Sequence, residues 1–242
     1  MKVVGIIPAR YESNRLQGKA VIDICGKPMI QWVYERSCKA RRLDEVYIAT
    51  DSEIIAGVSS GFTKNIIMTS SDCDTGTDRV AEAASAIECD CVINIQGDEP
   101  LIEPDVIDAV VEPLVNDGEK FTTAATLFTT GEGLDNKNFC KVVIDRDGYG
   151  IYFSRLMIPF YFDGEDASYY KHIGIYGYTK HFLGEFTMMP RGELERAERL
   201  EMLRAIENGH KIRVVITDYQ SIGVDAEYEL ELVRKILGCS KK

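Results

Sequence analysis

Short β-branched runs alternate with stretches of helical period through residues 1–116, and few architectures accept that order. Val3–Ile7 opens the series as an unbroken apolar run with turn residues behind it, the mark of a buried strand. Pro8 to Ala20 is polar and aperiodic, and it is long enough for a connection to carry function. Pro28 then starts a helix at a permitted first-turn position, with Met29, Ile30, Val33, Tyr34 and Ser37 along one face. Strands follow at Glu45–Thr50, Lys64–Met68 and Cys91–Ile95. Helices are predicted from the Asp51-Ser52 cap to Ser59, from the capping-box-like Thr75-x-x-Asp78 to Ile87, and over Pro104–Asn116. This alternation implies right-handed βαβ units and an α/β fold, with a largely parallel central sheet and helices on both faces. Ligands of such sheets sit beyond the carboxyl ends of the strands, where the 8–20 loop and Asp98 both fall.

After residue 120 or so the pattern loosens into a second-half elaboration. Strands are predicted at 122–127, 140–144, 150–153 and 171–178, and helices at 180–187, 193–207 and 227–237. No internal repeat, low-complexity tract or linker interrupts the chain, so residues 1–242 read as one domain with halves at 1–120 and 121–242.

The charge distribution narrows the function. The chain carries 28 Lys and Arg against 39 Asp and Glu, a net charge of −11. That balance argues against a nucleic-acid or anionic-membrane binder, and no run of about 18 apolar residues could span a bilayer. Residues 1–42, however, hold nine basic and three acidic side chains, a local excess that asks which anion it serves. Seven scattered cysteines without a C-x-x-C pair or a signal peptide predict reduced thiols in a cytosolic protein. Three histidines make a zinc site a poor expectation.

Two segments carry chemistry. Arg10, Arg15 and Lys19 place three cations on a loop at a strand's carboxyl end, which suits a triphosphate but equally a solvated basic loop. The loop is not a Walker A motif, because Gly18-Lys19 lacks the upstream glycine and is followed by Ala20. Asp98, in Asn94-Ile95-Gln96-Gly97-Asp98, is placed to hold Mg²⁺ between phosphates, although an Asp beside Gly also suits a simple turn. Asp225, after the last predicted strand and before the last helix, is a second candidate ligand or else a helix cap.

In combination these segments resemble the CMP-Kdo synthetases, the 3-deoxy-manno-octulosonate cytidylyltransferases. The matching stretches include IIPARYESNRLQGKAVIDICGKPMIQWVYER (6–36), TGTDRVAEA (75–83), NIQGDEPLI (94–102), YFSRLMIP (152–159), KHIGIYGY (171–178), LEMLRAIENGHKI (200–212) and GVD (223–225). The resemblance implies a Rossmann-like nucleotidyltransferase fold, with a nucleotide-binding first half and a sugar-binding, dimerising second half. It implies a cytoplasmic, homodimeric, Mg²⁺-dependent enzyme that joins CTP to a 3-deoxy-2-ulosonic acid, with Kdo as the default sugar, for bacterial lipopolysaccharide or capsule. By resemblance, Lys19, Arg10 and Asp98 are catalytic, and Asp98 and Asp225 hold the metal. Pro8, Ala9, Arg10, Ser13, Arg15, Lys19, Thr77, Asp78, Arg79 and Gln96 contact the nucleotide. Gln96, Arg155, His172, Tyr178, Glu201 and Arg204 contact the sugar. Glu201 and Arg204 alternatively make a surface pair on one helix. A CMP-nonulosonate synthetase or other sugar nucleotidyltransferase is the competing reading; it would share the basic loop and Asp98 but not KHIGIYGY.

The chain departs from the family pattern at Cys73 (usually His), Met202 (usually Gln), Gln17 and Ala20 (usually Pro), and Ala226-Glu227 (usually Thr-Pro). Cys73 and Met202 each replace a hydrogen-bonding group with a weakly polar one. Facing the sugar, they would favour a close variant such as 8-amino-Kdo.

Overall fold

In the computed structural model, which describes residues 1–12, 16–129, 133–162 and 168–239, the chain divides into two compact units. One is Met1–Asp108 joined by the segment that begins at Ser221, and the other is Ala109–Gln220. The first boundary falls earlier than the expected division near residue 120, and the C-terminal segment returns to the first unit rather than closing the second.

The first unit begins with β1 (Val3–Ala9), all but one of whose residues are buried. A hairpin of β2 (Asp23–Ile24) and β3 (Lys27–Pro28) turns through Cys25 and Gly26, both at positive φ (57° and 82°). There follow α1 (Met29–Ser37), β4 (Glu45–Thr50), α2 (Glu53–Ser59), β5 (Ile66–Met68), α3 (Gly76–Ser85), β6 (Cys91–Asn94) and α4 (Pro104–Asn116), within which the unit boundary lies. β1 pairs in parallel with both β4 and β6, and β4 with β5. The sheet order of this unit is thus β6-β1-β4-β5, the parallel arrangement that the alternation predicts. The caps behave as their residues suggest. Ser52 Oγ accepts the Ile55 N–H at 3.4 Å, and Thr75 and Asp78 exchange the reciprocal bonds of a capping box at 3.1 and 3.0 Å.

In the second unit, β7 (Phe121–Leu127), β8 (Lys141–Ile144), β9 (Gly150–Ser154) and β10 (Tyr170–Thr179) form antiparallel pairs, β10 with β7 and with β8, and β8 with β9. α5 (Lys180–Met188), α6 (Glu193–Glu198) and α7 (Leu203–Glu207) follow, and β11 (Arg213–Ile216) lies parallel to β7. Phe121 anchors this core, its ring stacked on Tyr178 with centroids 4.5 Å apart and tilted against Phe182 and Phe186. The single helix expected over 193–207 is two helices, because Arg199 adopts a left-handed conformation (φ 54°) and ends α6.

The last helix, α8 (Glu227–Ile236), belongs to the first unit, where Leu230 and Val233 join Val224, Ile24 and Met29 in one buried cluster. Cys25 and Cys239 are joined there by a disulfide, with Cα atoms 5.6 Å apart, so the expectation of reduced thiols throughout is corrected at these two positions. The pairing spans 214 residues, and it is α8 packing against the hairpin that brings the two cysteines together. Among the described residues no helix is long and apolar enough to cross a membrane.

Candidate active site

The site is built at the carboxyl ends of β1 and β6. Gly97, just after β6, approaches so closely that a Cβ there would lie 3.0 Å from the Pro8 carbonyl oxygen. Gly18 occupies the left-handed region (φ 65°), and its N–H bonds the Tyr11 carbonyl at 3.0 Å, folding the basic loop back on itself. That fold delivers Lys19 inward. Its side chain is 17% exposed, and its ammonium bonds Asp98 Oδ2 at 2.6 Å and Asp225 Oδ1 at 2.9 Å. Burial pushes the Lys19 pKa down, but the two carboxylates outweigh it, and the net shift is upward.

The two aspartates come together through backbone as well as side-chain bonds. The Val224 N–H donates to the Asp98 carbonyl at 2.9 Å, which fixes the Gly223-Val224-Asp225 segment beside the Gln96-Gly97-Asp98 turn. Glu229, one turn into α8, accepts the N–H groups of Asp225 and Ala226 at 2.5 and 2.8 Å. Ala226 carries no side-chain acceptor, so α8 has only this half of a capping box. Asp225 lies just outside the helix, and its carboxylate faces Lys19 instead of capping.

These groups rim a cavity of about 430 Å³, with Pro8, Ala9, Arg10, Gln96 and Arg79 also in its wall. Arg79 is held rigidly: its guanidinium donates to Asp51 Oδ2 at 2.8 Å and to Thr69 Oγ1 at 2.5 Å. Thr77 and Asp78 share the first turn of α3 with Arg79, but they are not in the wall. Asp78 is engaged in the capping box, and buried Thr77 accepts a bond from Asn94, which in turn accepts from Gln96. Ser13 and Arg15 lie outside the described residues. Within the 73–76 stretch the sequence marks Cys73 as a departure and Thr75 as a cap, yet Cys73, Asp74, Thr75 and Gly76 all line the cavity. The Cys73 thiol donates to Glu82 at 3.0 Å, and desolvation together with that carboxylate pushes its pKa up to about 11, so it stands there as a neutral donor.

The donor set suits Mg²⁺. Asp98 and Asp225 each present an oxygen to one point, and Mg²⁺ favours one or two carboxylates completed by phosphate oxygens and water. Among the described residues no cluster of three His, Cys, Asp or Glu side chains offers a cage independent of substrate.

Five of the six residues expected at the sugar belong to the second unit, and Gln96 to the first. Arg155 is committed to backbone carbonyls, its Nε donating to Glu198 at 2.9 Å and its Nη1 to Lys137 at 2.9 Å. His172 is buried, with Nε2 2.9 Å from Thr123 Oγ1, and desolvation lowers its pKa to about 3. Tyr178 is 1% exposed within the aromatic core. Arg204 is buried and grips Glu195 bidentately at 2.8 and 2.7 Å, with Glu201 3.6 Å away. Glu201 and Arg204 are thus neighbours, but Glu201 lies before α7 rather than on one continuous helix, and neither forms a simple surface pair. Two further buried charges pack with these residues. Glu195, nine residues from Arg204, had no helical spacing to advertise it, and Lys141, fully buried, donates to the carbonyls of Asn136, Phe139 and Arg155.

Comparison with known proteins gives a consistent set. The family model described as cytidylyltransferase matches residues 4–212. A 3-deoxy-manno-octulosonate cytidylyltransferase of Geobacter sulfurreducens is 48% identical, over 96% of this chain and 98% of that protein. One from Solibacter usitatus is 46% identical, over 99% and 96%. A solved CMP:2-keto-3-deoxy-manno-octonic acid synthetase complexed with CTP superimposes with a TM-score of 0.93 at 37% identity, covering 98% of both chains. A 4-diphosphocytidyl-2C-methyl-D-erythritol synthase of Anaerococcus prevotii shares the fold alone (TM-score 0.64, 15% identity, 98% of both chains).

Proposed function

Because this chain belongs to the cytidylyltransferase family, we propose that it activates 3-deoxy-manno-octulosonate with CTP, releasing pyrophosphate and the CMP-sugar. The observation that carries the reading is the convergence of Asp98 and Asp225 on one point, beside Lys19, in the wall of a cavity that also holds Arg10. The anomeric oxygen of the sugar attacks the α-phosphorus, the bond from that phosphorus to the α,β-bridging oxygen breaks, and the hydroxyl proton passes to solvent. Mg²⁺, when bound by Asp98 and Asp225, would offset the charge that develops on the α-phosphate. Arg10, Arg15 and Lys19 hold the triphosphate, with Pro8, Ala9 and Ser13 as the backbone of its cradle. Gln96 and Arg79 face the nucleoside side, with Thr77 and Asp78 fixing the helix turn that aims Arg79. For the sugar acid we assign Arg155, His172, Tyr178, Glu201 and Arg204. With Arg204 already clamped by Glu195, its part is to hold the neighbouring Glu201 in place rather than to meet the substrate as an open fork.

Cys73 and Met202, the two departures that lose a hydrogen-bonding group, carry a second reading for the sugar alone. The Cys73 thiol is a neutral donor in the cavity wall and Met202 is buried, and a pocket changed at these two positions would take a close variant such as 8-amino-Kdo. The product would supply lipopolysaccharide or capsule, made in the cytoplasm by a homodimer; exposed Phe160 and Phe162 are apolar surface of the kind a dimer covers. Pyrophosphate release with CTP and either sugar tests the assignment. Turnover of Kdo, lost about 10²-fold or more in Asp98→Asn and Asp225→Asn, is expected. Undiminished Mg²⁺-dependent turnover in those variants would remove the metal role.

A further inference from the structure

The ammonium of Lys19 lies 2.6 Å from Asp98 Oδ2 and 2.9 Å from Asp225 Oδ1, which are the oxygens assigned above to the metal. Mg²⁺ requires its oxygen ligands at about 2.0–2.1 Å, so a metal ion bridging these same two oxygens would occupy the point where the ammonium now lies, and the two cannot share it. The backbone that carries the two carboxylates is held without the lysine. Asp98 is anchored by the Val224 N–H on its carbonyl, and Asp225 by Glu229 on its own N–H. Lys19, in contrast, reaches them through a flexible four-carbon stem that can swing without moving the backbone.

We propose that Lys19 is the built-in competitor of the metal, bridging Asp98 and Asp225 until Mg²⁺ displaces it, and that the displaced ammonium then turns to the triphosphate. The inference rests on the metal reading of the two aspartates. It makes metal and nucleotide binding mutually supporting: the nucleotide offers the lysine a new anion, and the metal offers the aspartates a new cation. Such coupling is reciprocal.

The test uses Mn²⁺ as the probe, with free Mn²⁺ read by electron paramagnetic resonance on the full-length protein without nucleotide. Lys19→Met should bind Mn²⁺ about tenfold more tightly than the unsubstituted protein, while binding CTP more weakly. Opposite signs for the two ligands distinguish the exchange from general damage, which would weaken both. Mn²⁺ affinity that is unchanged or reduced in Lys19→Met overturns the proposal. Asp98→Asn separates this from failure of the underlying reading. It should lower Mn²⁺ affinity whether introduced alone or together with Lys19→Met, and if it does so in neither case, the aspartates are not the metal ligands and the exchange falls with them.

Discussion

Acidification should cost this protein stability at one identifiable ring in its second unit, apart from what its paired carboxylates lose. His172 on β10 is 8% exposed, packed edge-on against Phe153 at 5.2 Å and beside Tyr176 at 5.5 Å. The Thr123 hydroxyl gives its one proton to the Ile175 carbonyl at 2.8 Å, so His172 Nε2–H donates to that oxygen, and Nδ1 is where a second proton would go. Burial lowers the folded pKa from 6.5 to about 3. The unfolded chain therefore binds the proton first as pH falls. Stability from this group is complete above about pH 6.5 and drains away toward pH 3. Linkage with those two values gives a loss of about 2 kcal/mol at pH 5. Neighbouring Cys140 and Tyr176 do not offset it, since burial pushes both upward (Cys140 to about 12) and leaves them neutral throughout this range. Urea unfolding at pH 7 and pH 5, with His172→Asn as the reference, reads the difference. The unsubstituted protein should lose ~2 kcal/mol more than the variant between the two conditions. Parallel losses, or a His172 ring that titrates near 6.5 by NMR while the protein stays folded, would refute the reasoning.

Other substitutions have signs set by the same kind of geometry. Ala226→Ser supplies the missing half of the α8 cap and should raise thermal stability by about 1 kcal/mol. Glu195→Gln leaves the buried Arg204 guanidinium without its bidentate carboxylate and should cost ~3 kcal/mol in urea unfolding. Cys25→Ser should lower stability by about 2–4 kcal/mol in oxidising buffer and leave it nearly unchanged in excess dithiothreitol.

Much of the first unit is legible in its residues because its signals are local. Glu45–Thr50 and Pro104–Asn116 begin and end where their patterns say, and the Thr75 capping box forms as its spacing implies. The misses share a physical cause. β11 is only four residues long and follows a charged stretch, so it owes its pairing to β7 rather than to its own pattern. The β2–β3 turn uses Cys25 at positive φ, where asparagine or aspartate would have announced it. Arg199 breaks the 193–207 helix from the left-handed region, which no propensity of arginine foretells. At the site, Asp98 and Asp225 are readable as carboxylates at strand ends and as family motifs. That Lys19 bridges them, that Glu229 holds one of them, and that Cys25 meets Cys239 are facts of tertiary distance only.

The discontinuity of the first unit has a consequence during synthesis. Lys19 and Asp225 are 206 residues apart, and the cluster that seats the β2–β3 hairpin takes Val224, Leu230 and Val233 from the same late segment. A ribosome that has made all of β1 to β6 has therefore made a sheet but not an enzyme. Until that segment emerges, Ile24 and Met29 lack Val224, Leu230 and Val233 from their cover, and Lys19 lacks one of its two carboxylate partners. A nascent or prematurely terminated chain is thus denied the second carboxylate, and the order of translation itself delays the site until the rest of the protein exists.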